Sequence, residues 1–311
     1  FLNQQLTIIY LFYQSYEFIM KHSTIQNMII ISALFVLLFS NSTSAQEIKK
    51  SPHDQRQYRS LTLKNGLEVL LISDPKSELA AASLSIRAGL FNDPPNREGL
   101  AHFLEHMLFL GNEKYPIPGD FEKFLSSHGG YSNANTNNEE TNFFFTVQDD
   151  YFKKALDRFA HFFISPGFYP DFVDREINAV HSEYQKSLKN DGNRIYQVFK
   201  ETANPKHPIT KFGMGNRTTL QDSDGKSEQL YQDLLRFYQT HYSANMMKLV
   251  LLGIEPLDQL EQYLAKYFSK IVNKQLKTEK ITEPLINAKL PRLISVKPIN
   301  QVRRLKVMFK I

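Results

Sequence analysis

Two histidines and a glutamate lie within five residues of each other in an otherwise apolar segment. The stretch GLAHFLEHMLFLG, residues 99–111, contains His102, Glu105 and His106 among leucine, phenylalanine and methionine. On a helix, His102 and His106 would be one turn apart on the same face, with Glu105 beside them. Two neutral imidazole nitrogens at this spacing are suitable ligands for one zinc ion.

The glutamate in this motif suggests hydrolysis. Zinc lowers the pKa of a bound water toward about 7, and a nearby carboxylate can then take that water's proton and pass it to a leaving amine. Glu105 would reach the space in which such a carboxylate is needed. Burying these three polar side chains without partners would cost several kcal/mol. The motif therefore predicts a zinc site that cleaves peptide bonds.

A catalytic zinc site is expected to have a third protein ligand. The stretch FVDREINAVHSEYQKSL contains Glu176 and Glu183, which are seven residues apart and so fall within about 20° of each other on a helix. Apolar residues share or border that face, so at least one of the two carboxylates should point toward the core. His181 lies on a different face. Spacing alone leaves Glu176 and Glu183 as equal candidates.

Composition limits the kind of protein and the kind of metal site. The 311 residues are 42% apolar and 22% charged, which is typical of a globular protein, and none is cysteine. Without cysteine there are no disulfides and no thiolate ligands, so a metal must be bound by histidine and carboxylate. The net charge of +5 is spread along the chain without a basic stripe or a nucleic-acid-binding module, so no nucleic-acid partner is predicted.

Residues 1–45 are predicted to be an upstream extension followed by a signal peptide. Lys21 precedes the apolar run Met28 to Phe39, and small residues ending at Ala45 form a cleavage site. The apolar run would span about 18 Å as a helix, whereas a bilayer core needs about 30 Å, so no stable membrane anchor is predicted. We expect an exported protein, periplasmic or secreted.

The remaining sequence alternates between strand and helix patterns. Apolar residues alternate on both sides of Asn65-Gly66, which predicts a β-hairpin over 58–74. Further strands are predicted at 78–89, 141–148 and 245–253, and helices at 99–111, 120–130, 150–164, 171–189, 193–203, 227–240 and 256–271. Because these elements interleave without regular βαβ spacing, the fold class is α+β, with a mainly antiparallel sheet packed with several helices.

The pattern also suggests domain boundaries. Residues 46–272 would form one domain that contains the motif, and 273–290 are polar and linker-like. Residues 291–311 then look like the first strands of a truncated second domain.

At the level of longer motifs, the chain resembles a known family. The motif HFLEH, continued by MLFLGNEKYP, resembles the inverzincin zinc metallopeptidases, in the branch of pitrilysin and insulin-degrading enzyme (insulysin). The resemblance covers about residues 53–311. It continues, in the same order, through HGGYSNANTNNEETNFFF, ALDRFAHFFISPGF, DREINAVHSEYQK, ANPKHPITKFGMGN and LLRFYQTHYSANMMKLVLLG.

The resemblance implies a role for each residue of the candidate metal site. His102, His106 and Glu183 would bind one zinc ion per chain, and Glu105 would be the general base. Glu176 would stand behind the ligands and orient them, as outer groups do at metal sites.

The resemblance also implies a substrate site and further domains. SNANT, residues 132–136, matches the strand edge along which peptide substrates lie as an added β-strand, so Asn133 and Ala134 are predicted substrate contacts. Proteins of this branch are about three times as long, with four related domains in two halves. The second domain predicted here would be similar to the first, and further family domains are expected beyond this chain.

Together these observations predict a zinc-dependent endopeptidase that hydrolyses peptides and small unfolded proteins. The alternative is a truncated or non-catalytic family member that binds zinc and peptide without efficient turnover.

Overall fold

The computed structural model describes residues 48–278, 280–288, 290–300 and 303–309. The extension and signal peptide predicted for residues 1–45 lie outside this part of the chain. Within the described ranges, no helix combines the length and the apolar character that a bilayer span needs.

A six-stranded sheet forms the centre of the fold. Its spatial order is β1-β2-β6-β3-β5-β4, so β1 and β4 are the two edges. Only β2 and β6 are parallel, and every other neighbouring pair is antiparallel. The strands are β1 (Gln57–Thr62), β2 (Glu68–Ser73), β3 (Leu79–Ile86), β4 (Tyr131–Thr136), β5 (Thr141–Gln148) and β6 (Met247–Gly253).

One face of the sheet is buried because apolar residues alternate along its central strands. In β3, Leu84 is fully buried, and its partners Phe143 on β5 and Leu249 on β6 are also buried. The intervening residues, such as Ser83 and Ser85, are only partly buried. A one-residue slip would turn the apolar set away from the helices, so this alternation specifies the register.

Helices cover the buried face. Eight α-helices are present in the described part of the chain, and a phenylalanine-rich cluster around Phe159 joins three of them to the sheet. They are α1 (Leu100–Leu108), α2 (Asp120–Ser126), α3 (Phe152–Ile164), α4 (Val173–Ser187), α5 (Asp191–Thr202), α6 (Arg217–Leu220), α7 (Glu228–His241) and α8 (Leu257–Phe268). The predicted α+β class with a mainly antiparallel sheet is confirmed.

Helix α1 begins where a buried aspartate binds its first free N–H groups. Asp93 is 1% exposed, and its carboxylate accepts the N–H of Gly99 at 2.7 Å and of Ala101 at 2.8 Å. Burial raises the pKa of Asp93 to about 7, although these two hydrogen bonds act in the opposite direction. Asp93 therefore caps the helix that carries the histidines, although it lies seven residues before Leu100, where that helix begins.

A glycine–glycine contact seats the start of α1 against a later loop. Gly99 has φ +97°, and a Cβ placed there would lie 2.1 Å from the Cα of Gly215. The residue at position 99 must therefore tolerate a left-handed backbone and a direct backbone approach, and only glycine does both. This contact brings the loop that contains Met214 to the first turn of α1.

A buried ion network holds the same region. The Arg97 guanidinium lies 2.7 Å from the Asp222 carboxylate and 3.1 Å from that of Asp233, and it donates to the carbonyl of Leu220 at 2.9 Å. The loss of one partner from such a network strongly destabilises the folded protein, because the remaining charges stay buried. It ties the segment before α1 to α6 and α7.

The described residues after Ile271 form no helix or strand. They are attached at separate points: Asn204 donates its N–H to the carbonyl of Leu285 at 2.9 Å, and Asp191 accepts the N–H groups of Ile299 and Asn300 at 2.9 Å each. The predicted linker and the predicted first strands of a second domain stay predictions.

The Gly99 contact predicts a large difference between two glycine substitutions. Gly119 also has a left-handed backbone, with φ +78°, but a Cβ there would meet nothing within 4 Å. We expect Gly119→Ala to lower the free energy of unfolding by about 1 kcal/mol, and Gly99→Ala by about 3 kcal/mol or more because it adds overpacking to the same backbone strain. Urea denaturation measures both, and equal losses would contradict the proposed contact.

Candidate metal centre

Helices α1 and α4 bring the two histidines and one glutamate of the motifs together. The Nε2 atoms of His102 and His106 are 3.3 Å apart. Glu183 on α4 places its Oε2 atom 3.4 Å from Nε2 of His102 and 3.7 Å from Nε2 of His106. Among the described residues, these three form the group of side chains that could hold a metal ion.

The spacing of the three donor atoms fits zinc. Bonds of about 2.0–2.2 Å in a tetrahedral arrangement place ligand atoms about 3.3–3.6 Å from each other. The observed separations of 3.3, 3.4 and 3.7 Å match that geometry without rearrangement of the two helices. Two imidazoles and a carboxylate are also a usual ligand set for a catalytic zinc ion, which keeps its fourth position open.

Hydrogen bonds from the far side of each ring leave the Nε2 atoms free to bind metal. The Nδ1 atom of His102 lies 2.7 Å from the carbonyl oxygen of Met214, and Nδ1 of His106 lies 3.2 Å from Oε2 of Glu176. Both partners accept hydrogen bonds, so each Nδ1 donates a hydrogen, and each ring can present the lone pair of its Nε2 atom when a metal ion is bound. The two outer contacts thus orient both rings toward one point.

The charges around the rings favour a cation at that point. Hydrogen bonds from His102, which has the larger effect, and from His106 hold the pKa of Glu183 far below its usual range. Burial alone would lower the pKa of His106, but Glu176 and Glu183 outweigh it and raise the pKa to about 9. The carboxylates therefore stabilise positive charge between the helices, as a proton or as a metal ion.

Glu176 stands behind His106. Its side chain is only 10% exposed, and besides its contact with His106 its Oε1 atom accepts a hydrogen bond from Nε of Arg175 at 2.9 Å. Burial alone would raise the pKa of Glu176, but His106 and Arg175 outweigh it and lower the pKa. Spacing alone left Glu176 and Glu183 equal. The structure separates them, because Glu183 faces both Nε2 atoms and Glu176 faces a single Nδ1 atom.

Glu105 lies beside the metal-binding group without belonging to it. It is 8% exposed, and burial raises its pKa, while the hydroxyl of Thr136 donates to its Oε2 atom at 2.5 Å and lowers the pKa. The charges of His102 and His106 also act to lower the pKa of Glu105. A carboxylate with a raised pKa next to a metal site is the arrangement expected of a general base.

The group opens into a cleft of about 1110 Å³. Edge strand β4 forms one wall, and both predicted substrate contacts, Asn133 and Ala134, lie in it. Asn133 is exposed, whereas Ala134 is half-buried against the core. The Asn133 side chain accepts the N–H of Ala134 at 2.9 Å.

Two partners of the site were not predicted from the sequence. Thr136 lies in the SNANT segment, two positions after Ala134 and therefore on the same side of the strand, so alternation could have singled it out. The Met214 carbonyl carries no side-chain signal. Its flanking residues Gly213 and Gly215 both have positive φ, so the only hint is the tight loop that two close glycines indicate.

Comparison with known proteins gives two family matches in chain order. The family described as Insulinase (Peptidase family M16) matches residues 68–206, and the family described as Peptidase M16 inactive domain matches residues 229–310. The first match contains both histidines of the motif, Glu105, Glu176 and Glu183. The second match begins within α7 and includes β6 and α8.

Individual relatives agree with these matches. Insulin-degrading enzyme of Homo sapiens is 46% identical over 260 residues, which cover 83% of this chain and 26% of that protein. The A-factor-processing enzyme of Saccharomyces cerevisiae is 44% identical, with 83% of this chain and 25% of that protein covered. The crystal structure of pitrilysin superimposes with a TM-score of 0.74 at 40% identity, over 78% of this chain and 26% of that one.

The chain thus spans about a quarter of the length of these relatives. Over that length the predicted resemblance to the pitrilysin and insulin-degrading enzyme branch is confirmed by sequence and by fold. The chain belongs to the insulinase family of peptidases, M16.

Proposed function

We propose that this chain carries the zinc ligands and the general base of an endopeptidase that hydrolyses peptides and small unfolded proteins. The observation that supports this most directly is the tetrahedral spacing of the Nε2 atoms of His102 and His106 and the Oε2 atom of Glu183. Glu105 lies beside them in the same cleft. One zinc ion per chain would satisfy the three donor atoms.

Each residue of the site has a distinct task in this proposal. Zinc, when bound, would act as a Lewis acid that polarises the scissile carbonyl and lowers the pKa of water. His102, His106 and Glu183 hold the ion, with the Met214 carbonyl and Glu176 fixing the two rings. Glu105 takes the proton of the attacking water at its carboxylate and returns it to the amine of the leaving peptide. Thr136 orients Glu105 through its hydroxyl.

The free edge of β4 would bind the substrate. An extended peptide can add to an exposed strand through main-chain hydrogen bonds, which carry little sequence preference. Strand β4 pairs with β5 on one side only, and its other side faces the cleft next to Glu105. This arrangement favours substrates that can present an extended segment, such as peptides and unfolded proteins. Asn133 and Ala134 are the proposed contacts.

The relatives extend the proposal beyond this chain. Because they are about four times longer than the matched region, further family domains are proposed as partners of this one in efficient turnover. The second candidate function is a chain that binds zinc and peptide but turns over slowly. Export is proposed from the apolar run before Ala45. Assaying this chain beside a version carrying the remaining family domains would separate the two functions.

Removing ligands and outer groups should weaken metal binding to different degrees. Glu183→Gln removes a ligand atom, so we expect stoichiometric zinc to be lost during dialysis. Glu176→Gln leaves all three ligands but loosens the His106 ring, so affinity should fall about 10–100-fold. Chelator competition and metal analysis measure both effects. Equal zinc affinity in wild type and Glu183→Gln would remove Glu183 from the site.

Replacing the proposed base should separate chemistry from metal binding. Glu105→Gln keeps the size and hydrogen-bonding capacity of the side chain but cannot accept the proton, so peptide cleavage should fall at least about 100-fold with zinc content unchanged. The matched control is Glu113→Gln, at an exposed position away from the cleft. Cleavage of a quenched fluorescent peptide reports activity, and a fully active Glu105→Gln variant would refute the base assignment.

Removing the Thr136 hydroxyl should change the pH dependence of cleavage. The Thr136 hydrogen bond lowers the pKa of Glu105 against the effect of burial, so Thr136→Val should raise that pKa. Glu105 must be unprotonated to act as a base, and the acidic limb of kcat/KM against pH should therefore move to higher pH. Thr62→Val, on the exposed side of β1, is the control. An unmoved acidic limb would show that Thr136 does not act on the base.

A further inference from the structure

The cleft contains a second carboxylate that the proposed reaction does not use. Glu122 on α2 lines the same cleft as the metal-binding group. Its Oε2 atom is shielded from solvent and has no hydrogen-bond partner among the described residues. A buried carboxylate oxygen without a partner costs free energy, and natural structures rarely keep one without a reason.

Among the described residues, no positively charged side chain is paired with Glu122. The charged neighbour that acts on Glu122 is Asp120, a like charge, and together with burial it raises the pKa of Glu122. Asp120 itself is paired with Arg158, whose Nε atom lies 3.1 Å from Oδ2 of Asp120. The Arg158 guanidinium is therefore engaged by the other carboxylate in the first turn of α2.

A second unpartnered polar atom belongs to the strand against which this helix packs. Helix α2 packs against β4. On that strand Ser132 lines the cleft, and its Oγ atom also has no hydrogen-bond partner within the described ranges. The apolar side chains of Phe109 and Leu110 line the cleft as well. An acceptor, a hydroxyl and an apolar wall match a long side chain with an aliphatic stem and a charged end.

Strand geometry places Ser132 at a defined distance from Thr136, the residue that contacts the proposed base. Ser132 and Thr136 are four residues apart on β4 and point to the same side, so they are separated by about 13 Å along the strand. Thr136 bonds to Glu105. A peptide laid along β4 with its scissile bond near Glu105 would therefore bring a side chain a few residues away to Glu122 and Ser132.

We propose that Glu122, with Ser132, forms a subsite for a lysine or arginine side chain of the bound peptide, a few residues from the scissile bond. The proposal rests on the proposed function in that it uses the same cleft and the same peptide strand. It assigns a substrate preference to a residue outside the metal centre. Glu122 is only partly buried as a residue, and its carboxylate would turn toward the cleft to bond to the ammonium or guanidinium group. The aliphatic stem would lie on Phe109 and Leu110.

The test measures peptide binding separately from cleavage. The 311-residue chain with Glu105→Gln keeps the peptide intact, and fluorescence anisotropy gives Kd for short N-acetylated peptides in which a single Lys or Gln is moved through every position. Acetylation removes the terminal ammonium, so only a side chain can supply the charge, and an unacetylated set shows whether a chain terminus can replace it. Zinc content and cleavage by the unsubstituted chain are measured in parallel.

We expect Lys to bind about ten-fold more tightly than Gln at one position, or at two positions on the same side of the peptide strand, as a charge-assisted hydrogen bond would give. Adding Glu122→Gln should reduce that preference to less than about two-fold. Adding Glu122→Lys should reverse it, so that a Glu-containing peptide binds more tightly than its Lys counterpart. Glu68→Gln, at an exposed position on β2, should leave the preference unchanged.

Several outcomes would overturn the proposal. A Lys preference that survives Glu122→Gln, the absence of a preferred position, or a failure of Glu122→Lys to favour Glu would each do so. These results are independent of zinc content and cleavage, so a failed subsite and a failed peptidase are distinguishable.

Discussion

Polar side chains in an apolar helix must be matched by partners from elsewhere in the chain. Helix α1 buries Leu100, Phe103, Leu104 and Met107 completely, and so its polar residues can exist there only where distant segments supply acceptors and donors. Thr136 comes from an edge strand, Glu176 and Glu183 from α4, and the Met214 carbonyl from a loop seated by a glycine contact. The rest of the fold is arranged so that these segments meet at one face of α1.

This requirement explains why the parts of the fold nearest the site are also its most constrained. Asp93, the Arg97 network and the Gly99–Gly215 contact all act within two turns of His102. Each fixes the position or the entry angle of α1, and none is directed at the reaction itself. A site that depends on atoms about 3.3–3.6 Å apart cannot tolerate a helix that shifts by an ångström.

The predictability of the structure follows the range of the interactions. Local patterns were sufficient for β3, β5, α4 and the hairpin, since alternation and helical spacing report burial directly. They also placed Glu176 and Glu183 on one face of a helix. They could not decide which of the two reaches the Nε2 atoms, because that depends on how α4 crosses α1. No spacing rule predicts tertiary contacts, and these contacts place Thr136, the Met214 carbonyl and Glu122 at the cleft.

The open edge of β4 has a consequence for solubility. An unpaired strand edge is normally a site at which copies of a protein associate, and apolar edge strands promote aggregation. Here the edge segment is YSNANT, in which serine, asparagine and threonine replace the apolar residues of β3 and β5. Such side chains bury little apolar area when two identical edges pair, yet the backbone groups stay free to bind an extended chain with other side chains. The polar composition of β4 therefore removes the apolar contacts that would drive two such edges together.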